Sequence, residues 1–221
     1  YDTVDVVAAR RRNIIVTNTP GVLNDAVADL AIGLMIAAAR RIPQGERFVR
    51  AGKWVRLGLP LAQHVTGKRL GIVGLGRIGQ AIARRAAGFD LKIGYHSRHR
   101  VPDSPFTYYE RLLDLARNSD FLVAILPGGK ETWHLVDEEV MRALGPAGIL
   151  VNVARGSVVD EKALVKCLQE GALGGAALDV FEQEPKVPEA LFKMDNVVLQ
   201  PHVGSATHET RTAMGQLTVD N

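Results

Sequence analysis

Residues 69–79 read RLGIVGLGRIG, an apolar run followed by glycines at positions 74, 76 and 79. The run predicts a β-strand, and the apolar spacing that follows predicts a helix over 77–89. Glycines at this spacing between a strand and a helix are typical of a dinucleotide site. Gly74 permits the tight turn, Gly76 lets the backbone approach a pyrophosphate, and Gly79 lets the helix pack close to the strand. The amino end of the helix favours the bound anion.

The same alternation of apolar runs and helical patterns continues downstream of this stretch. Further strands are predicted over 91–97, 121–127, 149–154, 175–180 and 196–201, and further helices over 110–119, 137–145, 160–171 and 188–194. Short apolar strands that alternate with helices favour a parallel sheet covered on both faces. The predicted fold class is therefore α/β, with a doubly wound parallel sheet.

The first 65 residues follow a different pattern. A strand is predicted over 13–18, and a long helix is predicted to run from a cap at Asn24 or Asp25 through AVADLAIGLMIAAARR. Apolar residues surround most of this helix, which indicates burial on more than one side. The second side could be a partner subunit or another domain of the same chain, and the pattern favours neither.

Composition narrows the function classes. The 221 residues are 47% hydrophobic and 23% charged, with a formal charge of only +3. The tract Arg10–Arg12 is interpreted as a solvated helix face. Because a nucleic-acid site needs a concentrated basic surface, no nucleic-acid partner is predicted. The single cysteine, Cys167, excludes a disulfide framework and a multi-cysteine metal site, and no metal is predicted; it is interpreted as a buried hydrophobe. Without a membrane-spanning run or a signal-peptide pattern, the expectation is a cytoplasmic enzyme.

Three polar residues lie just beyond predicted strands: Arg155 after 149–154, Glu184 after 175–180 and His202 after 196–201. Ligands of open α/β sheets bind outside the carboxyl ends of the strands. If a nicotinamide delivers hydride to a carbonyl carbon, His202 can protonate the oxygen. Glu184 can orient the imidazole and favour its protonated form, and Arg155 can bind a substrate carboxylate and polarise the ketone.

The cofactor is predicted from the end of the second strand, which reads His96-Ser97-Arg98-His99-Arg100 without the carboxylate that would bind a ribose 2′-hydroxyl. A hydroxyl and a guanidinium suit a 2′-phosphate, so NADP(H) is predicted in preference to NAD(H), with Ser97, Arg98 and His99 at the cofactor. The alternative is a surface loop that happens to be basic. Asp179 could accept a hydrogen bond from the nicotinamide carboxamide or cap the local turn.

The remaining histidines and the tryptophans receive structural interpretations. His64, His134 and His208 lack a comparable setting at a strand end, and each is interpreted as structural. Trp54 and Trp133 are predicted to be packing residues.

Four segments carry a resemblance to a known family: GKRLGIVGLGRIGQAIA (67–83), NVARGSVVDEKALVKCLQEG (152–171), GGAALDVFEQEP (174–185) and NVVLQPHVGSAT (196–207). Together they resemble the D-isomer-specific 2-hydroxyacid dehydrogenases, and the resemblance extends over essentially the whole chain. It implies a Rossmann dinucleotide-binding domain and the three roles given above for the polar residues. The resemblance also implies a homodimer formed through the helix after Asp25. Cofactor contacts are implied for Leu75, Gly76, Arg77, Ile78, Val153 and Asp179.

Within that family the chain looks most like the NADPH-preferring glyoxylate/hydroxypyruvate and hydroxyphenylpyruvate reductases. The resemblance implies a remnant of a flavodoxin-like substrate domain over 1–22, the dinucleotide-binding domain over 23–204 and the start of a return segment over 205–221. The loop that binds the substrate carboxylate would lie upstream of Tyr1, so a chain cut at both ends is expected.

The functional hypothesis is a reductase that transfers hydride from NADPH to the keto carbon of a small 2-oxo acid and gives a D-2-hydroxy acid. Two alternatives stay open. One is an NAD-dependent D-2-hydroxyacid dehydrogenase of the phosphoglycerate or lactate type. The other is a non-catalytic scaffold that senses nucleotides, for which the glycine turn alone would suffice.

Overall fold

The computed structural model describes residues 4–221, and its centre is a parallel sheet. The strands are β1 (Arg69–Val73), β2 (Lys92–His96), β3 (Thr107–Tyr108), β4 (Phe121–Ala124), β5 (Ile149–Asn152), β6 (Gly175–Leu178) and β7 (Val197–Leu199). The α-helices are α1 (Val6–Arg11), α2 (Asn24–Ala39), α3 (Ile42–Arg50), α4 (Arg77–Ala87), α5 (Leu112–Arg117), α6 (Glu138–Leu144), α7 (Glu161–Gln169), α8 (Glu189–Phe192) and α9 (His208–Asp220).

The sheet has the order β3-β2-β1-β4-β5-β6-β7, and each neighbouring pair is parallel. Strand order therefore runs outward in both directions from β1 and β4. This confirms the predicted doubly wound α/β fold and places a topological switch point at the carboxyl ends of these two strands. The edge strand β3 was not predicted, because two residues are too short to show a pattern.

Two apolar layers cover the sheet. On one face α2 and α4 pack over residues such as Ile72 and Val151, and on the other α5, α6 and α7 pack over residues such as Leu122 and Leu150. All four of these strand side chains are fully buried. Burial on both faces explains why the central strands are continuous apolar runs and do not alternate with polar residues.

Helix α2 begins earlier than the sequence predicted. Its amino cap is Leu23, without a side-chain hydrogen bond, so the predicted cap at Asn24 or Asp25 is wrong. The turn before the helix provides the acceptor for its first amide, because Asn24 N–H donates to Gly21 O at 3.3 Å. Asp25 pairs with Arg85 of α4 at 3.0 Å, and α2 lies against α4 and β5–β7. Much of its apolar surface is therefore buried within its own chain.

Residues 13–18 form no strand, which corrects a second prediction. The side chains of Ile14 and Ile15 are 56% and 88% exposed. The segment bonds to residues outside the sheet: Ile14 N–H donates to Ala9 O of α1, and Asn18 O accepts from Asn221. An apolar run forms a strand only where a neighbour completes its hydrogen bonds.

Both tryptophans are exposed, Trp54 at 72% and Trp133 at 57%, so neither belongs to the core, and the prediction of a packing residue is wrong for Trp54. Trp133 stacks on the adjacent His134 ring, and Trp54 lies on a short 3₁₀ turn after α3. Cys167 is buried as predicted, and burial raises the pKa of its thiol. Arg10–Arg12 are exposed at the end of α1, also as predicted.

Over residues 4–221, none of the helices has the length and apolar character needed to cross a membrane. The predicted boundaries after residues 22 and 204 stay predictions, and residues 1–3 of the predicted substrate-domain remnant lie outside the described residues.

Candidate active site

The glycine turn after β1 needs glycine at two of its three positions. Gly74 has φ +102°, and a Cβ there would lie 2.3 Å from Ile125 O at the end of β4. A Cβ on Gly79 would lie 2.1 Å from Gly74 O. The first glycine therefore lets β1 turn against β4, and the third lets α4 start directly on that turn.

Gly76 is different, because a Cβ there would meet nothing within 4 Å. It is the amino cap of α4 and has extended backbone, so its missing side chain leaves open space in front of the first amides of the helix. Free amides and the helix dipole make this position suitable for an anion. The turn therefore fits the pyrophosphate of a dinucleotide.

A cleft of about 610 Å³ opens beside this turn, along the carboxyl ends of β1, β4, β5, β6 and β7. Of the predicted site residues it is lined by Gly76, Arg77, Ile78, Gly79, Val153, Arg155, Asp179 and His202. Residues 18–21 and Met214 of α9, which no strand-end pattern marks, also line it. Residues more than a hundred positions apart in the sequence thus face one cavity.

A second cavity of about 760 Å³ continues from the first. Gly74, Leu75, Ser97, Arg98 and His99 line it, and both cavities share Gly76 and residues 125–127. Residues 125–127 follow β4, so the rule that ligands bind beyond strand ends could have found them. The two cavities together give an elongated site across the switch point.

The basic loop after β2 has contacts of its own. The Ser97 hydroxyl donates to His99 O at 2.6 Å, so its proton is directed into the loop. The Arg98 guanidinium lies 3.4 Å from the Glu131 carboxylate, with both side chains about 80% exposed. Glu131 also lines the second cavity, and nothing in the sequence marks it as a partner of Arg98.

Asp179 holds the turn that carries His202. Its two carboxylate oxygens accept from Val203 N and Gly204 N, each at 2.8 Å, and its carbonyl accepts from His202 N at 2.8 Å. His202 takes a left-handed φ of +54°. Burial raises the pKa of the Asp179 carboxyl, and the two amide bonds oppose that rise. Asp179 therefore caps this turn, which is one of the two roles predicted for it.

The imidazole of His202 is oriented by Glu184. The Nδ1 to Oε2 distance is 2.7 Å, and Glu184 Oε1 accepts from Phe181 N at 3.0 Å. Glu184 itself does not line the cleft, so it acts on the cleft through His202. With Nδ1 engaged, Nε2 is the ring nitrogen available to a bound molecule.

Arg155 stands on a turn built by a residue that sequence reasoning missed. Asn152, which is 1% exposed, donates from Nδ2 to Arg155 O at 3.0 Å and accepts from Ala154 N at 3.1 Å. The Arg155 guanidinium donates to Ala154 O at 2.7 Å. A polar residue within the apolar run 149–154 was the available signal, because buried amides are kept where they bond to backbone.

The other histidines differ from one another. His64 and His208 are exposed, whereas His134 is part-buried and bonds to Glu182 at 2.5 Å. Across the described part of the chain, no group of three or more His, Cys, Asp and Glu side chains is arranged to hold a metal ion.

Comparison with known proteins agrees with this architecture. Residues 32–204 match the family described as D-isomer specific 2-hydroxyacid dehydrogenase, NAD binding domain. A glyoxylate/hydroxypyruvate reductase A of Arabidopsis thaliana is 54% identical over 220 residues, and a hydroxyphenylpyruvate reductase of Plectranthus scutellarioides is 53% identical over 220 residues. Each alignment covers 100% of this chain and 70% of the relative.

A solved structure is also similar over the whole chain. It is the NADPH-dependent glyoxylate/hydroxypyruvate reductase of Sinorhizobium meliloti in complex with NADP and malonate, with a TM-score of 0.96 and 52% identity, covering 100% of this chain and 70% of that one. The resemblance predicted from the four sequence segments is therefore confirmed. The chain belongs to the D-isomer-specific 2-hydroxyacid dehydrogenase family.

Proposed function

We propose that this protein is an NADP(H)-dependent reductase of small 2-oxo acids of the glyoxylate or hydroxypyruvate type that forms D-2-hydroxy acids. The observation that carries the proposal is the 2.7 Å His202–Glu184 bond on the edge of a cleft that Arg155 also lines. An acid held by a carboxylate, in a cleft that a guanidinium also lines, suits reduction of a carbonyl that stands next to a carboxylate. The similar reductases of Arabidopsis and Sinorhizobium support this assignment.

The chain's residues divide the chemistry between them. The nicotinamide, when bound, supplies the hydride that reduces the keto carbon. Arg155 binds the substrate carboxylate and stabilises the charge that develops on the keto oxygen. His202 donates its Nε2 proton to that oxygen, and Glu184 holds the ring in place through Nδ1. Asp179 and Val153 lie in the same cleft, and we assign them to the nicotinamide; each Asp179 oxygen accepts one amide of the turn and keeps a lone pair for the carboxamide.

The decisive experiment is a substrate panel on the complete open reading frame. Glyoxylate, hydroxypyruvate, pyruvate and hydroxyphenylpyruvate are reduced with NADPH and with NADH, and the product is resolved by chirality. We expect turnover with NADPH on the small 2-oxo acids and D-configured product wherever a stereocentre forms. Cofactor binding without turnover on any 2-oxo acid would favour the nucleotide-sensing scaffold.

We expect Arg98→Ala to weaken NADPH binding and to leave NADH binding unchanged. The Ser97 proton is directed to His99 O, so of the predicted pair Ser97 and Arg98 it is Arg98 that can donate to a 2′-phosphate. Loss of a hydrogen bond between charged groups should raise the Kd for NADPH roughly tenfold or more. Fluorescence titration of both cofactors measures it.

The matched control is Glu131→Gln. It removes the carboxylate that pairs with Arg98 at 3.4 Å, so NADPH should bind as tightly as in the wild type or more tightly. If Arg98→Ala weakened both cofactors equally, or if the wild type preferred NADH, the assignment of the 2′-phosphate to this loop would be wrong.

We further propose a homodimer. Helix α2 is largely buried in its own chain, but the segment that follows it, residues 42–61, exposes a series of large apolar side chains. They are Ile42, Val49, Trp54, Val55, Leu57, Leu59 and Leu61. Seven exposed large apolar side chains within one short segment are unusual on a monomer. A second copy packed against this segment would bury them.

We expect the double substitution Trp54→Ser with Leu61→Ser to convert the dimer to a monomer. Trp54 is 72% exposed and Leu61 is 96% exposed, so neither change removes a core contact of the single chain. Light scattering of the complete open reading frame should give half the wild-type mass. Trp133→Ser, at the other exposed tryptophan, should keep the wild-type mass; a monomeric wild type would refute the dimer.

A further inference from the structure

A second histidine–carboxylate pair lies outside the cleft. His134 Nε2 is 2.5 Å from Glu182 Oε1, and both side chains are mostly buried, at 29% and 17% exposure. The indole of Trp133 stacks on the imidazole with ring centroids 4.6 Å apart and planes at 22°. Asp160 Oδ2 lies 3.7 Å from Nδ1 on the other side of the ring. This imidazole is therefore bonded to Glu182 at Nε2 and stacked against the Trp133 indole, and the Asp160 carboxylate lies near its Nδ1.

The segment that carries His134 is joined to the segment that carries Arg155. His134 N–H donates to Ser157 O at 2.8 Å, and Val136 N–H donates to Val158 O at 2.9 Å. Ser157 is two residues beyond Arg155 in the same turn. A shift of His134 would therefore be transmitted to the Arg155 turn through the backbone.

Glu182, in turn, belongs to the loop that carries Glu184. Phe181 N–H donates to Glu184 Oε1 at 3.0 Å, so the backbone beside Glu182 orients the carboxylate that holds His202. This loop also touches the Arg155 turn directly, because a Cβ on Gly156 would lie 1.9 Å from the Phe181 carbonyl carbon. The His134–Glu182 bond thus links the turn of Arg155 to the loop of Glu184.

The His134–Glu182 bond lies among other carboxylates, so it offsets the negative charge of Glu182. Glu182 N–H donates to Glu161 Oε1 at 3.2 Å, and burial, together with the nearby Glu182 charge, raises the pKa of the Glu161 carboxyl. Asp160 lies on the far side of His134. Without the imidazole, Glu182 would be left mostly buried among carboxylates and without its donor, which is costly for a charged group.

We propose that His134 and Glu182 are positioning residues that fix the Arg155 turn relative to the His202–Glu184 pair. The inference rests on the proposed function, because Arg155 and His202 act on one substrate only if their spacing is held. Small misplacements of groups that must meet a substrate together are expensive in rate. The pair therefore contributes to catalysis without touching the cleft.

The test uses His134→Leu and Glu182→Leu in the complete open reading frame. Each should lower kcat/KM for the 2-oxo acid roughly 10- to 100-fold, with a raised KM, while the NADPH Kd stays at the wild-type value. His134→Gln should recover most of the loss, because the side-chain amide can still donate to Glu182. The kcat/KM of the double variant should fall no further than that of the more impaired single variant, because the double variant leaves no unpaired buried carboxylate. His64→Gln, at an exposed histidine, is the matched control.

Crystal structures of the wild type and of Glu182→Leu measure the positions of the two loops independently of enzyme activity. We expect residues 155–158 and 181–184 to shift by about 1 Å relative to His202. Unmoved loops, additive losses in the double variant or wild-type kinetics in both single variants would overturn the inference. A wild type without turnover would instead count against the proposed function, and the two structures would still decide whether the pair positions the loops.

Discussion

We expect His202→Gln to reduce kcat with glyoxylate or hydroxypyruvate by roughly two to four orders of magnitude and to leave the NADPH Kd within about twofold of the wild type. The imidazole is the proposed proton donor, and the glutamine amide cannot supply a proton near neutral pH. Because His202 follows β7 and the glycine turn follows β1, two strands that are not neighbours in the sheet, the loss of the imidazole should not disturb the pyrophosphate site. Single-turnover reduction followed by NADPH absorbance measures the chemical step, and fluorescence titration measures the binding.

Two comparison variants separate a chemical role from a structural one. Glu184→Gln keeps an acceptor for Nδ1 but replaces a charge-assisted bond by a neutral one, so its kcat should fall by less than that of His202→Gln. His208→Gln changes an exposed histidine at the start of α9 and should behave as the wild type. Equal losses of kcat and NADPH affinity in His202→Gln would mean that His202 holds the turn at Asp179 and does not donate the proton.

The fold could be predicted because its signal is local. Each core strand is buried on both faces, so its sequence is a continuous apolar run. At two positions of the turn after β1 a Cβ atom would clash with the backbone, so the sequence must have glycine there. The failures at 13–18 and at Trp54 share a cause. In both, apolar side chains occur without the packing partner or the neighbouring strand that the pattern alone presumes.

The site could be predicted only in part, for a related reason. Residues directly beyond strands, such as Arg155 and His202, are brought to one edge by the parallel topology itself. The Glu131–Arg98 and Glu182–His134 pairs join positions 33 and 48 residues apart. Such pairs depend on how loops pack after the sheet has formed, and no periodicity encodes them.

Arg155 is the residue whose loss should most change which substrates are accepted. It is exposed at the cleft, on a turn fixed by the buried Asn152, so the guanidinium is presented from a rigid base. A planar guanidinium binds a carboxylate by two parallel hydrogen bonds, and the same group stabilises the keto oxygen as it gains charge. Arg155 should therefore affect both substrate binding and the chemical step.

We expect Arg155→Gln to lower kcat/KM for a 2-oxo acid by roughly 100- to 1000-fold, with the NADPH Kd unchanged. Arg155→Lys should fall between this variant and the wild type, because lysine keeps the charge but not the planar fork. Steady-state kinetics with glyoxylate and pyruvate, alongside cofactor titration, measure both quantities.

A neutral substrate isolates the carboxylate contact. Pyruvamide presents the same keto group as pyruvate without the negative charge, so the wild type should strongly prefer pyruvate and Arg155→Gln should lose most of that preference. If the variant kept the preference, another cation would have to bind the carboxylate, and Arg155 would act on the keto oxygen alone. If it lost activity on both substrates by the same factor, the guanidinium would serve the chemical step and not the choice of substrate. The proposed double role requires a loss on pyruvamide that is real but smaller than the loss on pyruvate, because only the oxygen contact survives in the neutral substrate.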